Sequence, residues 1–162
     1  MTTTWLTDRE RAAWVRLAAV LELLPGVLDT QLRRDSGLTH FDYYTLAMLS
    51  EAEGRTLRMT ELAAQTNATL PRLSHVVRRL EDRGLVARVP CPEDARATNA
   101  TLTNAGWGAV QAAAPGHVAA VRGAVVDALT DAQIDQLTTI TTAILERLDP
   151  ERTMAATYRR YD

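Results

Sequence analysis

The apolar positions of this chain change period along its length, and the changes mark its elements. Leu17, Leu21, Leu24, Leu28 and Leu32 recur at steps of three or four, the spacing of one helical face. This predicts a long helix within the first 37 residues, with Asp8 placed to cap it and Gly37 to end it. Pro25-Gly26 lies inside the pattern and is expected to kink or split the helix. A second helix is predicted from about Thr39 to Glu53, with Phe41, Tyr44, Thr45, Met48 and Leu49 on one face and Gly54 after it. Thr60 is expected to cap a short helix, Glu61 to Gln65. After the turn Thr66-Asn67-Ala68, Thr69 can cap a longer helix with Pro71 in its first turn. Leu73, Val76, Val77 and Leu80 share one side of that helix. Pro71, His75, Arg78 and Asp82 fall opposite, flanked by Arg72, Ser74 and Arg79, and Gly84 closes it.

Beyond Gly84 the period shortens. Leu85 to Val89 alternates like a strand, Pro90 to Asp94 breaks it, and Thr98 to Leu102 forms a second strand after an eight-residue loop. Two strands around a loop make a hairpin, and prolines at 90 and 92 suit an edge or a loop tip. Thr103 is placed to cap a helix reaching about Leu129, disturbed by Pro115-Gly116. Thr130-Asp131-Ala132-Gln133 is a capping-box pattern, followed by the apolar face Ile134, Leu137, Ile140, Ile144 and Leu148. The tail from Pro150 is polar, carries Arg159 and Arg160, and is expected to need a partner for order. Neither an internal repeat nor an interdomain linker interrupts the chain.

Composition narrows the classes. The 162 residues suit one domain, and 46% apolar with 23% charged residues is an ordinary globular balance. One cysteine excludes an intrachain disulfide and a Cys-rich zinc site. His40, His75 and His117 lie far apart in sequence without metal-ligand spacing, so no metal or cofactor is expected. No basic segment leads into an apolar run at the start, and no apolar run approaches membrane-spanning length. The expectation is a cytoplasmic protein with no membrane partner. No nucleophile–base pair or phosphate loop is visible, so an enzyme is not expected.

All eighteen basic residues are arginine, which whole-chain composition bias explains best. Their placement says more. Residues 55–96 hold eight Arg against five acidic residues, a balance of +3 within a chain of net charge −2. Helix, turn, helix and hairpin, in that order and with this charge, describe a winged helix-turn-helix. The second helix of such a module enters the major groove of double-stranded DNA, and the hairpin reaches the backbone or the adjacent minor groove. A winged helix that binds protein without DNA is the alternative.

Four pieces in order sharpen this reading: Met59-Thr60-Glu61-Leu62-Ala63, Leu80-Glu81-Asp82-Arg83-Gly84-Leu85-Val86, Asp94-Ala95-Arg96 and Leu102-Thr103-Asn104-Ala105-Gly106. Together they resemble the core of the MarR family of bacterial transcriptional regulators, in motif detail over about residues 38 to 106 and in layout over the whole chain. The resemblance implies a mainly α fold, residues 1–162 forming a single domain. In it a winged helix-turn-helix lobe, 38–103, bears a two-stranded wing and is flanked by dimerisation helices, 1–37 and 104–162. It also implies a homodimer on a palindromic operator, most often a repressor released by a small, often aromatic, effector.

Residue by residue, Arg96 matches the wing arginine that in the family enters the minor groove, where a narrow groove concentrates negative potential. Asp94 matches the partner expected to orient that guanidinium. In the recognition helix His75, Arg78 and Arg72 depart from the residues common in the family, so the operator is not transferable. Arg72, His75, Arg78 and Arg79 are candidates for base or phosphate contact, and Thr69 for a phosphate at the helix start. For an effector, Trp14, Phe41, Tyr43, Tyr44 and Trp107 stand out among only eight aromatics, with ordinary core packing as the competing role. Cys91 at the wing reads as a bystander thiol, with redox sensing the minor alternative.

Overall fold

A computed structural model describes residues 3–159. Helix α1 spans Asp8–Ser36. Thr7, not Asp8, is its cap: the Thr7 hydroxyl accepts from the Glu10 N–H and the Glu10 carboxylate accepts from the Thr7 N–H at 2.8 Å. The helix is continuous through Pro25, so the chain is not split there. Proline removes only the donor to the Leu21 carbonyl, and Leu21 is exposed, so water can take that position. Gly37 ends α1 at φ 63°, in the left-handed region that glycine adopts without penalty.

Helix α2 (His40–Glu51) is shorter than expected, because a 3₁₀ turn at Glu53–Arg55 with Gly54 at positive φ separates it from the next element. That element is a strand, β1 (Thr56–Arg58), which the pattern did not predict. Helix α3 (Met59–Gln65) starts two residues early with Arg58 at its cap, so Thr60 lies inside the first turn and caps nothing. Helix α4 spans Leu70–Asp82.

Strands β2 (Val86–Cys91) and β3 (Asp94–Leu102) form a longer hairpin than expected, joined at Pro92–Glu93 rather than by an eight-residue loop. Pro90 is accommodated because β2 is an edge strand and the register shifts between Pro90 and Cys91. The sheet is three-stranded and antiparallel, in the order β1-β3-β2, with Leu57 opposite Ala100 and Val86 opposite Leu102.

Helix α5 (Asn104–Ala124) passes through Pro115 and stops five residues short of Leu129, where a 3₁₀ turn at Val126–Ala128 begins. Helix α6 spans Asp131–Leu148 behind the expected Thr130–Gln133 capping box, and α7 spans Ala155–Arg159. The tail is held from within. Burial would raise the Asp149 carboxyl, but bonds from Met154 N–H, the Thr153 hydroxyl, Thr153 N–H and Tyr158 Oη outweigh it and hold its pKa at about 2. Arg160 lies outside the described residues.

One apolar core joins the lobe to the long helices. Leu32 of α1, Leu46 and Leu49 of α2, Leu62 of α3, Leu73, Val77 and Leu80 of α4, and Val110 and Ala113 of α5 meet there. Helix α1 packs along α5, and α2 contacts both. Helix α6 buries none of its side chains.

Candidate nucleic-acid interface

Helix α4 is two-faced by sequence and by structure. Leu73, Val76, Val77 and Leu80 are buried, whereas Pro71, Arg72, His75, Arg78, Arg79 and Asp82 are exposed. The Thr69 hydroxyl caps the helix by accepting from Arg72 N–H at 3.4 Å, and Thr69 is exposed. The start of α4 is exposed together with the polar face: Thr69, Leu70, Pro71 and Arg72 all face solvent.

The wing projects beside it. Asp94 Oδ1 accepts from the Arg96 backbone N–H at 3.0 Å, closing a local turn just after the hairpin tip. This differs from the expected role. Asp94 shapes the chain that carries Arg96, and no ion pair among the described residues joins it to the Arg96 guanidinium. Arg96 is exposed and, with Arg58, Leu70, Ser74, Arg88 and Thr98, lines a cleft of about 250 Å³ between the wing and the start of α4. Of these, only Arg96 is among the predicted contacts. Leu70 and Ser74 belong to α4, and Arg58 is brought in by β1, which has no period of its own to reveal it.

Six of the other seven arginines of this region are engaged with the protein. Arg72 stacks over the Phe41 ring at 4.3 Å. Arg79 pairs with Asp42, which is 2% exposed. Arg88 donates from side chain and backbone to the Glu81 carboxylate, at 3.1 and 2.9 Å, and these bonds lower the Glu81 pKa. Arg83 donates to the Gly37 carbonyl at 3.0 Å, Arg58 sits 3.8 Å from Glu93, and Arg55 covers Trp107 at 4.5 Å. The guanidinium groups of Arg78 and Arg96 make none of these contacts.

The five aromatic candidates sit in different surroundings. Trp14 is 55% exposed on α1. Phe41 lies under Arg72, and Trp107 lies under Arg55 against the core. Tyr44 donates its hydroxyl to the Gln65 carbonyl at 3.2 Å, and burial raises its pKa. Tyr43 packs on the His117 ring at 4.6 Å, and His40 stacks on the same ring at 6.2 Å. Two histidines far apart in sequence thus meet where α1, α2 and α5 join. Gln31 Oε1 and His117 Nδ1 are buried there without a hydrogen-bond partner. Cys91 is a buried free thiol.

This order of helices around a three-stranded wing, with an exposed arginine beside an amphipathic helix, defines the winged helix-turn-helix class of fold. Comparison with known proteins gives the family. The MarR family sequence model matches residues 36–97. Sco3205, a MarR family transcriptional regulator from Streptomyces coelicolor solved in complex with DNA, is 44% identical, with 92% of this chain and 93% of that one covered and a TM-score of 0.87. AbsC, a MarR family transcriptional regulator from the same organism, is 40% identical over 90% of this chain and 98% of that one, with a TM-score of 0.85. Among curated proteins, the HTH-type transcriptional repressor Rv2887 of Mycobacterium tuberculosis is 40% identical over 70 residues, 43% of this chain. That match spans about half (49%) of the relative's length. The chain belongs to the MarR family of transcriptional regulators. No helix among the described residues is long and apolar enough to cross a membrane.

Proposed function

We propose that this protein is a homodimeric, sequence-specific DNA-binding repressor whose hold on DNA is released by a small molecule. The observation that carries the DNA-binding reading is the exposed pair of surfaces, the polar face of α4 and the wing arginine Arg96, on one side of the lobe. Helix α4 would read base edges in the major groove through His75 and Arg78, with Arg72 at the helix start and Thr69 at a phosphate. Arg96 would enter the minor groove, held out by the turn that Asp94 closes. The relative solved in complex with DNA supports this reading.

The accessible surface supports the dimer. The chain exposes 11174 Å², against about 8000 Å² for a compact monomer of this mass. Much of the excess is apolar: Trp14, Val20, Leu21 and Leu23 on α1, and Leu137 and Ile140 on α6. Val20, Leu129, Leu137 and Ile140 also line a cleft of about 410 Å³. A second copy covering α1, α5 and α6 would bring two recognition helices to the half-sites of a palindrome.

For the effector, the junction of α1, α2 and α5 is the favoured place. It carries Tyr43, His40 and His117, and the two buried polar atoms that lack partners. A ligand bonding there would favour one spacing of the lobes over the one DNA needs.

The test is selection of a duplex from a random-sequence library by the full-length protein, followed by anisotropy titration at several salt concentrations. An enriched, dyad-symmetric duplex whose affinity falls steeply with salt is expected. No enrichment and no salt dependence would leave a protein-binding module instead.

A further inference from the structure

The polar face of α4 holds two kinds of arginine. Arg72 and Arg79 are seven residues apart, about two helical turns, and so share a side. Both reach back to consecutive residues at the start of α2: Arg72 to the Phe41 ring at 4.3 Å, Arg79 to the Asp42 carboxylate. Asp42 is almost wholly buried, and its two oxygens are divided. Oδ2 accepts from the Thr39 N–H at 2.9 Å, completing the capping box of α2, while Oδ1 accepts from Arg79. One carboxylate thus fastens the start of α2 to the recognition helix, between residues 37 apart in sequence.

Geometry also ties this turn to the dimer helices. Asp29 of α1 accepts from the His40 N–H at 2.8 Å, and the His40 ring lies on His117 of α5. The first turn of α2 therefore stands between the long helices and the base-reading surface.

We propose that Asp42 and Arg79 are positioning residues for DNA recognition: the buried carboxylate fixes α4 against α2, and Arg79 spends its charge on that bond rather than on a phosphate. The proposal rests on the DNA-binding reading above. A buried carboxylate deprived of its cation is costly, so the pair favours one seating of α4. Specific binding depends on that seating. Non-specific binding, which needs only charge near phosphates, does not.

The test uses the full-length protein, the duplex it enriches from a random-sequence library, and a random-sequence duplex of the same length. Arg79→Gln and Asp42→Asn are each expected to weaken binding to the enriched duplex by on the order of tenfold, comparable to a mismatched base pair. Affinity for the random duplex and the slope of log affinity against log salt stay at the wild-type values. The double variant loses no more than either single one, as residues acting as a unit do. Arg79→Lys keeps a charge for a phosphate but lacks the reach and planarity of the guanidinium, so the same loss is expected. A slope reduced by about one with Arg79→Gln, on both duplexes, overturns the proposal and makes Arg79 a phosphate contact. Full rescue by Arg79→Lys, or unchanged binding by Asp42→Asn, overturns it too. Circular dichroism separates these results from unfolding, and Arg79→Lys remains the deciding variant if the other two do not fold. If the wild-type protein enriches no duplex and binds neither DNA, the DNA-binding reading itself falls, and this proposal with it.

Discussion

The Thr103 hydroxyl donates to the Gly84 carbonyl at 2.6 Å, so the first residue before α5 is bonded to the last turn after α4. The same hydroxyl accepts from the Gly106 N–H at 3.0 Å and caps α5. Thr103 N–H in turn donates to the Leu85 carbonyl at 3.1 Å. The recognition helix and a long helix of the body thus meet at one backbone joint.

That joint is packed too closely for any side chain at Gly106. A Cβ there would lie 2.1 Å from the Leu85 carbonyl oxygen and 2.6 Å from Leu102 Cδ1. The carbonyl is fixed by its bond to Thr103, so it cannot retreat. Gly106→Ala is expected to destabilise the fold by about 1–3 kcal/mol in urea unfolding. Gly123→Ala, where a Cβ meets nothing within 4 Å, is the contrast and is expected to be neutral or slightly stabilising. Equal effects of the two substitutions would contradict the steric account.

The exposed apolar face of α6 tests the dimer. Ile140 is 56% exposed and Leu137 40% exposed in the single chain, so charging them harms no core. Ile140→Glu with Leu137→Asp should leave helical content intact and shift the mass in solution from dimer to monomer by light scattering. An unchanged dimer would place the interface elsewhere.

Stability should depend on the imidazole pair. Burial lowers the His40 pKa below 6.5, with Asp29 acting in the opposite direction, and burial followed by the charge of His40 lowers that of His117. Between 6.5 and the lowered values the unfolded chain binds more protons than the folded one, so stability falls as pH falls through that window. Asp35 and Asp149, both held at about 2, titrate far below it. The urea midpoint is expected to drop between about pH 7.5 and about pH 5.5, with a smaller drop in His117→Gln. Identical midpoints in the wild-type protein would contradict this reading.

Much of the fold is legible in the sequence because its signals are local. Thr69, Pro71 and the spacing of Leu73, Val76, Val77 and Leu80 lie within one helix and give α4 almost to the residue. Thr130 and Gln133 do the same for α6. Strand β1 is hidden because three residues carry no period, and Leu57 pairs with Ala100 far along the chain. The hairpin is longer than Pro90 and Pro92 suggest, since an edge strand tolerates what a central strand would not. In the candidate interface the residue types are legible but their partners are not. Nothing near Arg79 in sequence reveals Asp42, and nothing near Arg72 reveals Phe41. Asp94 and Arg96 are recognisable as a pair, but only the folded hairpin shows that the bond runs to the backbone N–H.

The most direct test of DNA recognition is Arg96→Ala, measured by fluorescence anisotropy against the enriched duplex across a salt series. The Arg96 guanidinium takes no part in the ion pairs described, so the fold and the dimer should be unaffected. Affinity should fall by about 1–3 kcal/mol, and the salt slope should shrink by about one. Unchanged affinity and slope would remove the wing from recognition and contradict the account.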